Sequence, residues 1–394
     1  MKATTGVANW VWILYKMKVT TIETIALHDP AVGGTTIVRV HTDAGVTGIG
    51  QAESPSLVID AIIKCDGGLE QLIRGEDPVH VERLWQKMYA RTGLFGRRGV
   101  TLAAIGAVET ALWDIAGKVM CRPVCELIWR AFATTREHAA IKTKVLPYGT
   151  VYPPGATPSE MRQRISEVLA RGFRAVKIEE WPGGFAHVDL ETDIAFARMA
   201  RELLGEQRDL MFDLQNRWQD VGTAMETIRA IAPYRPYFIE APLPPDNVEA
   251  YARLADMAET RIAVGDWGLV SRFEFEDLLT LGRVDVVQPS SVRSGGISEI
   301  VRIAEMAYRR GALCVPHAWY HMIGTAAAVH IAAVVPNMPY FEYGVSYPDS
   351  PIISEFLDPP VAINADGTID VPTRPGLGVE LNDDVVARYR VPLH

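Results

Sequence analysis

Between Leu210 and Asp266 the chain repeats one phrase three times: Leu210-Met211-Phe212-Asp213, Tyr237-Phe238-Ile239-Glu240 and Ile262-Ala263-Val264-Gly265-Asp266. Each is a short apolar run, the pattern of a strand buried on both faces, and each ends in a carboxylate. The three acids stand 27 and 26 residues apart, room for one strand, one crossover helix and its turns. Working outward, the same texture gives runs at Thr143–Tyr148, Ala175–Ile178, Val284–Val287, Leu313–Val315 and Tyr340–Phe341, eight in all. Thr157-Pro158-Ser159-Glu160, a capping box with proline at the first helical position, opens the first intervening helix. Eight units between residues 140 and 343 predict an α/β fold, a (β/α)8 TIM-like barrel.

The flanks read differently. Residues 17–139 carry a strand-like meander up to Gly50 and then helical spacing over Pro78–Ala90 and Thr101–Val119, where Leu102, Ile105, Val108, Leu112 and Ile115 share a face. They form an α+β capping domain. Residues 1–16 read as an N-terminal extension, and 344–394 as a Pro-rich C-terminal segment that returns to the cap.

With 39 Lys plus Arg against 48 Asp plus Glu, the net charge is −9, so the electrostatic footprint for nucleic acid is missing. No run reaches the roughly 18 apolar residues of a membrane span. Val7–Tyr15 resembles a weak secretory core, but no small-residue cleavage site follows it. The four cysteines, Cys65, Cys121, Cys125 and Cys314, make neither a disulfide framework nor a zinc pattern. A cytoplasmic protein without nucleic-acid or membrane partners follows, and a symmetric homo-oligomer is expected of such a barrel.

Active sites of closed barrels sit at the C-terminal ends of the strands. Asp213, Glu240 and Asp266 would meet there, and three anions packed together require a cation. Oxygen ligands without His or Cys favour Mg²⁺, with Mn²⁺ as the alternative. The next strand ends are Gln288-Pro289-Ser290, Pro316-His317 and Phe341-Glu342, while the second strand ends in Lys177-Ile178-Glu179-Glu180. Lys177 and Glu179 share one face by alternation, and His317 lies across the rim from them. A hard cation, a histidine and an opposing lysine suit removal of the proton beside a carboxylate, the substrate being a small carboxylic acid.

These residues resemble the enolase superfamily, in its mandelate racemase-like branch and especially its acid-sugar dehydratases. The likeness runs from about Lys18 to the C-terminus. It includes Arg74-Gly75-Glu76-Asp77-Pro78, the helix around Glu109-Thr110-Ala111-Leu112-Trp113-Asp114-Ile115, and Pro375-Gly376-Leu377-Gly378. By resemblance Asp213, Glu240 and Asp266 match the metal ligands, His317 the base of the seventh strand, Glu342 the carboxylate after the eighth, and Lys177 the first lysine of a Lys-x-Lys motif. The departures are Glu179 in place of the second lysine, Ser290 in place of the aspartate that orients the histidine, Asp266 for a glutamate and Gln215 for an asparagine. Loss of the second base argues against two-sided racemisation and leaves one-base elimination.

The function implied is dehydration of an aldonate or aldarate to a 2-keto-3-deoxy acid. The alternatives are a cycloisomerase or epimerase working through the same enolate, and a barrel that binds a sugar acid without turning it over. His317, Lys177, Glu179 and Glu342 are the catalytic candidates. Gln215, Arg217, Ser290, Trp319 and His321 are the candidates for substrate contact, with Tyr320 and the strand-end tryptophans Trp181, Trp218 and Trp267 beside them. Arg91, Arg97 and Arg98 stand in a Gly-rich cap loop placed to close over a substrate. Gly295-Gly296, opening the helix after the sixth strand, offers a helix N-terminus to an anion.

Overall fold

The computed structural model describes residues 17–30, 32–132, 140–151, 157–179, 189–319, 322–345 and 350–393. Eight parallel strands form the barrel: Pro147–Val151, Ala175–Glu179, Asp209–Asp213, Phe238–Glu240, Ile262–Val264, Val286–Val287, Leu313–Cys314 and Phe341–Gly344. Successive strands pair in chain order, and the eighth pairs with the first. The circle closes where the Glu342 amide donates to the Pro316 carbonyl at 3.0 Å. The first strand differs from the sequence expectation. The run from Thr143 is divided, because Lys144–Val145 pairs antiparallel with Ile369–Asp370 of the C-terminal segment. The barrel strand starts at Pro147, where a missing N–H is tolerated.

Period-two alternation builds the barrel interior in layers. Tyr148, Ala175, Met211, Phe238, Ala263, Val286 and Val315 pack into one buried cluster, one residue from each of the first six strands and Val315 just past the seventh. Two residues further along, on the same face, come Thr150, Lys177, Asp213, Glu240, Gln288 and His317, all buried. The apolar layer is therefore the floor beneath a polar one. The helix expected after the first strand, Pro158–Ala170, is held by its capping box, with the Thr157 hydroxyl accepting from the Glu160 amide and the Glu160 carboxylate from the Thr157 amide.

The cap is an antiparallel meander, Val19–Asp29, Gly33–Thr42 and Thr47–Ala52, packed on the helix Val100–Met120. Contact is backbone to backbone. A Cβ on Gly48 or Gly50 would lie 2.0 or 1.9 Å from the carbonyl oxygens of Ala111 and Ala107, so only glycine fits there. Among the described residues this is the one helix long and apolar enough to cross a membrane, and it is the buried core of the cap. The C-terminal segment returns to this unit: Arg390–Val391 adds a strand beside Val19–Asp29.

Buried polar groups tie cap, barrel and tail together. The Asp114 carboxylate accepts from the amides of Ile49 (3.2 Å) and Leu377 (2.9 Å). His330 accepts from the Cys125 amide at Nδ1 (3.2 Å), while Nε2 is 3.0 Å from the Leu377 carbonyl. The N-terminus of the helix Ile297–Arg309 is already filled by the protein's own anion. Glu109 of the cap accepts from the amides of Ile297 (2.8 Å) and Ser298 (3.0 Å) and from the Trp113 indole (2.7 Å). Gly295-Gly296 is thus a cap-to-barrel contact, not a ligand site, and a Cβ on Gly296 would lie 2.3 Å from that carboxylate.

Burial pushes the Glu109 carboxyl up to about 7 despite those hydrogen bonds. A carboxyl raised on folding binds its proton more tightly in the native state, so its contribution is complete below about pH 4.5 and is lost as pH rises through about 7. The stability of the wild type relative to Glu109→Gln, which cannot ionise, is expected to fall by about 3 kcal/mol across that interval. Urea unfolding at a series of pH values measures it; a difference independent of pH would refute the assignment.

Candidate active site

Asp213 and Glu240 reach the rim by simple alternation, since their strands pair Asp213 with Glu240 directly. Asp266 does not. In step with Ala263, the inward position is Gly265, and Asp266 would face outward. Gly265 has φ +121°, a conformation open to glycine, and a Cβ there would lie 2.3 Å from the Phe275 ring. That turn brings Asp266 back to its neighbours. One carboxylate oxygen from each of Asp213, Glu240 and Asp266 lies within 4.8 Å of the others. Glu240 Oε1 is buried with no hydrogen-bond partner among the described residues. Three hard oxygen donors, one of them an orphaned buried atom, fit a divalent cation such as Mg²⁺.

The site's own cation is Lys177. Its buried ammonium lies 2.8 Å from Glu240, 3.1 Å from Glu342 and 3.2 Å from Asp213. Burial works against the charge, yet Glu240 and Glu342 hold this lysine protonated well above its ordinary range. Burial pushes Glu342 up, but Lys177, His317 and hydrogen bonds from Thr150 (2.6 Å) and the Ala318 amide (3.0 Å) outweigh it and bring it down to about 2. Burial and then the Asp213 charge raise Glu240 and Glu179 well above the carboxylate range and Asp266 to about 6. Gln288 donates to Glu240 at 2.7 Å.

Glu179 stands one step above Lys177 and accepts from the Gln215 side-chain amide at 2.5 Å. Gln215 is therefore engaged with the chain's own carboxyl. Its backbone and that of Asn216 are left-handed, φ 46° and 58°, and Ala241, right after Glu240, has φ 44°. Non-glycine residues in this region cost of order 1 kcal/mol or more each and cluster at functional sites. Arg217 follows this turn, and its guanidinium pairs with Asp193 of the helix Leu190–Leu204 at 3.0 Å and lies over Trp218.

His317 Nε2 lies 3.6 Å from the Glu342 carboxylate, and its Nδ1 is 3.3 Å from both the Ser290 hydroxyl and an Arg293 guanidinium nitrogen. Arg293, Thr150 and Glu53 were not singled out from the sequence. Thr150 was accessible in principle as the inward residue two beyond Tyr148; Arg293 sits in a loop with no periodicity to mark it. Trp267 is exposed, Trp218 buried and Trp319 half-buried. Glu180, Trp181, Tyr320 and His321 lie outside the described residues. Arg91, Arg97 and Arg98 are exposed, and Arg98 approaches Glu274 at 3.8 Å.

Comparison with known proteins places this geometry. A D-galactonate dehydratase of Ralstonia pickettii is 33% identical, with 89% of each chain covered. An arabinonate dehydratase of Saccharolobus solfataricus is 30% identical, again over 89% of each. Among solved structures, the 3,6-anhydro-D-galactonate cycloisomerase of Zobellia galactanivorans superposes with a TM-score of 0.82 at 26% identity, covering 95% of this chain and 100% of that one. A racemase of Streptomyces coelicolor with bound magnesium gives 0.81 at 25% identity over the same shares. The mandelate racemase/muconate lactonizing enzyme N-terminal domain matches residues 15–129, and the enolase C-terminal domain-like family matches residues 160–385. The chain belongs to the mandelate racemase/muconate lactonizing enzyme branch of the enolase superfamily.

Proposed function

We propose that the protein is a magnesium-dependent hydro-lyase that dehydrates a sugar acid to a 2-keto-3-deoxy acid. The observation that carries this reading is the buried carboxylate trio beside the buried Lys177 ammonium, supported by relatives named as dehydratases along most of the chain. A magnesium ion held by Asp213, Glu240 and Asp266 supplies a Lewis acid for the charge that grows on the substrate carboxylate as its α-proton leaves. Lys177 adds positive charge from the chain, its ammonium lying within 3.2 Å of Glu240, Glu342 and Asp213. Proton handling falls to His317 and Glu179. The proton leaves C2, the C3–O bond breaks, the hydroxyl departs as water with one added proton, and the enol tautomerises to the ketone.

The loops that follow the eight strands favour an aldonate over an aldarate. Across residues 152–157, 180–189, 214–220, 241–247, 265–271, 288–296, 315–321 and 345–350 the lysines and arginines number two, Arg217 and Arg293, beside the histidines His187, His317 and His321. Arg217 is paired with Asp193 and Arg293 sits on His317, so these loops offer no further lysine or arginine to a second substrate carboxylate. Ser290, Gln215, Trp319 and His321 are proposed to meet the sugar hydroxyls.

Incubation with a panel of aldonic and aldaric acids plus Mg²⁺ is expected to yield keto acid from an aldonate. Chelation should abolish the product and Mg²⁺ or Mn²⁺ restore it. A ring-opened product would instead favour the cycloisomerase, while no product and no exchange of the C2 proton with deuterated solvent from any acid would end the proposal. In that assay His317→Asn is expected to lower kcat about 10²–10³-fold, and an unchanged rate would remove His317 from the mechanism. Lys177→Met leaves its carboxylates without their shared cation, and urea unfolding in the presence of chelator should show a loss of about 3–5 kcal/mol. Undiminished stability would mean that the ammonium is not what holds them together.

A further inference from the structure

We infer that Arg293 is a positioning residue that fixes the tautomer of His317, so that this histidine presents an N–H, not a lone pair, at Nε2. Among the described residues, two groups meet Nδ1. The Arg293 guanidinium, 3.3 Å away, has donors only. The Ser290 hydroxyl, also at 3.3 Å, is free to donate to a ring nitrogen that the guanidinium makes an acceptor, while its oxygen faces the Val292 amide at 3.4 Å. With donors on both sides, Nδ1 is the acceptor, and in a neutral imidazole the proton then resides on Nε2. An aspartate at position 290 would impose the opposite arrangement.

Arg293 is itself firmly held. The nitrogen that reaches His317 also donates to the Asp266 carbonyl, Nε lies 3.1 Å from Glu53 of the cap, and the guanidinium lies over Trp267 at 5.6 Å. Glu53 is anchored in turn by its amide, which donates to the Val292 carbonyl at 3.3 Å. Cap, fifth-strand end and histidine are thus joined through one side chain. His317 thereby presents a hydrogen-bond donor toward a substrate oxygen or Glu342. The part His317 plays in turnover rests on the sugar-acid reading above, whereas its tautomer does not.

Nitrogen-15 NMR of protein labelled at its nine histidines, at a pH well above the ordinary imidazole range, reads the tautomer without any substrate. The His317→Asn variant identifies the resonance pair. The wild type is expected to show Nε2–H alone, Arg293→Lys to preserve it, and Arg293→Met to give a mixture or the Nδ1–H form. In turnover Arg293→Met should lower kcat about 10–100-fold with KM little changed, and Arg293→Lys should recover part of the loss. An Nδ1–H signal in the wild type overturns the inference without any variant, and an Arg293→Met spectrum identical to the wild type overturns the role of the arginine. Either result leaves the dehydratase proposal standing, since that is judged by product.

Discussion

Five carboxyl groups converge at one end of the barrel, and a single ammonium stands among them. Asp213, Glu240, Asp266, Glu179 and Glu342 are gathered around Lys177, with Arg293 as the next fixed cation. Charges a few ångströms apart in a poorly solvated pocket repel by several kcal/mol per pair. Such a cluster persists only if protons or cations make up the deficit. Lys177 holds Glu342 ionised, while Glu240, Glu179 and Asp266 are driven toward their protonated forms. A divalent cation held by Asp213, Glu240 and Asp266 would relieve that repulsion.

Most of this was legible in the sequence because it follows from two periods. The βα repeat places strand ends on one rim, and alternation within a strand stacks Lys177 above Ala175, Asp213 above Met211 and Glu240 above Phe238. Asp266 is the instructive exception. Its spacing from Glu240 is right, yet its parity is wrong, and only the left-handed Gly265 puts it in place. What stayed hidden lies in loops or far apart in the chain. Arg217 sits two residues past the left-handed Gln215 in sequence, and its ion pair with Asp193, 24 residues earlier, had no signal in the spacing. The helix N-terminus at Gly296 looked vacant because the anion that fills it, Glu109, comes from another domain.

The cap is consequently part of the site's structure as well as a cover. Glu109, Asp114, Glu53 and His330 each bridge segments remote in sequence through buried hydrogen bonds or ion pairs. Removing one partner of such a contact leaves a desolvated polar group, which costs about 1–3 kcal/mol. The glycines at 48, 50 and 296 let backbones approach closely enough for these contacts to form. Cap and barrel are therefore expected to unfold together, and the alignment of Arg293 with His317 depends on how the cap is seated.

Two of the four departures from the family pattern bear on where protons are held. At the sixth strand an expected aspartate is Ser290, and the ring nitrogen it would have faced meets Arg293 instead. At the second strand an expected lysine is Glu179, bonded to Gln215. The histidine side thus lacks the expected acid and carries the guanidinium of Arg293, while the lysine side carries a carboxyl in place of the expected cation, with the carboxylate trio kept between them.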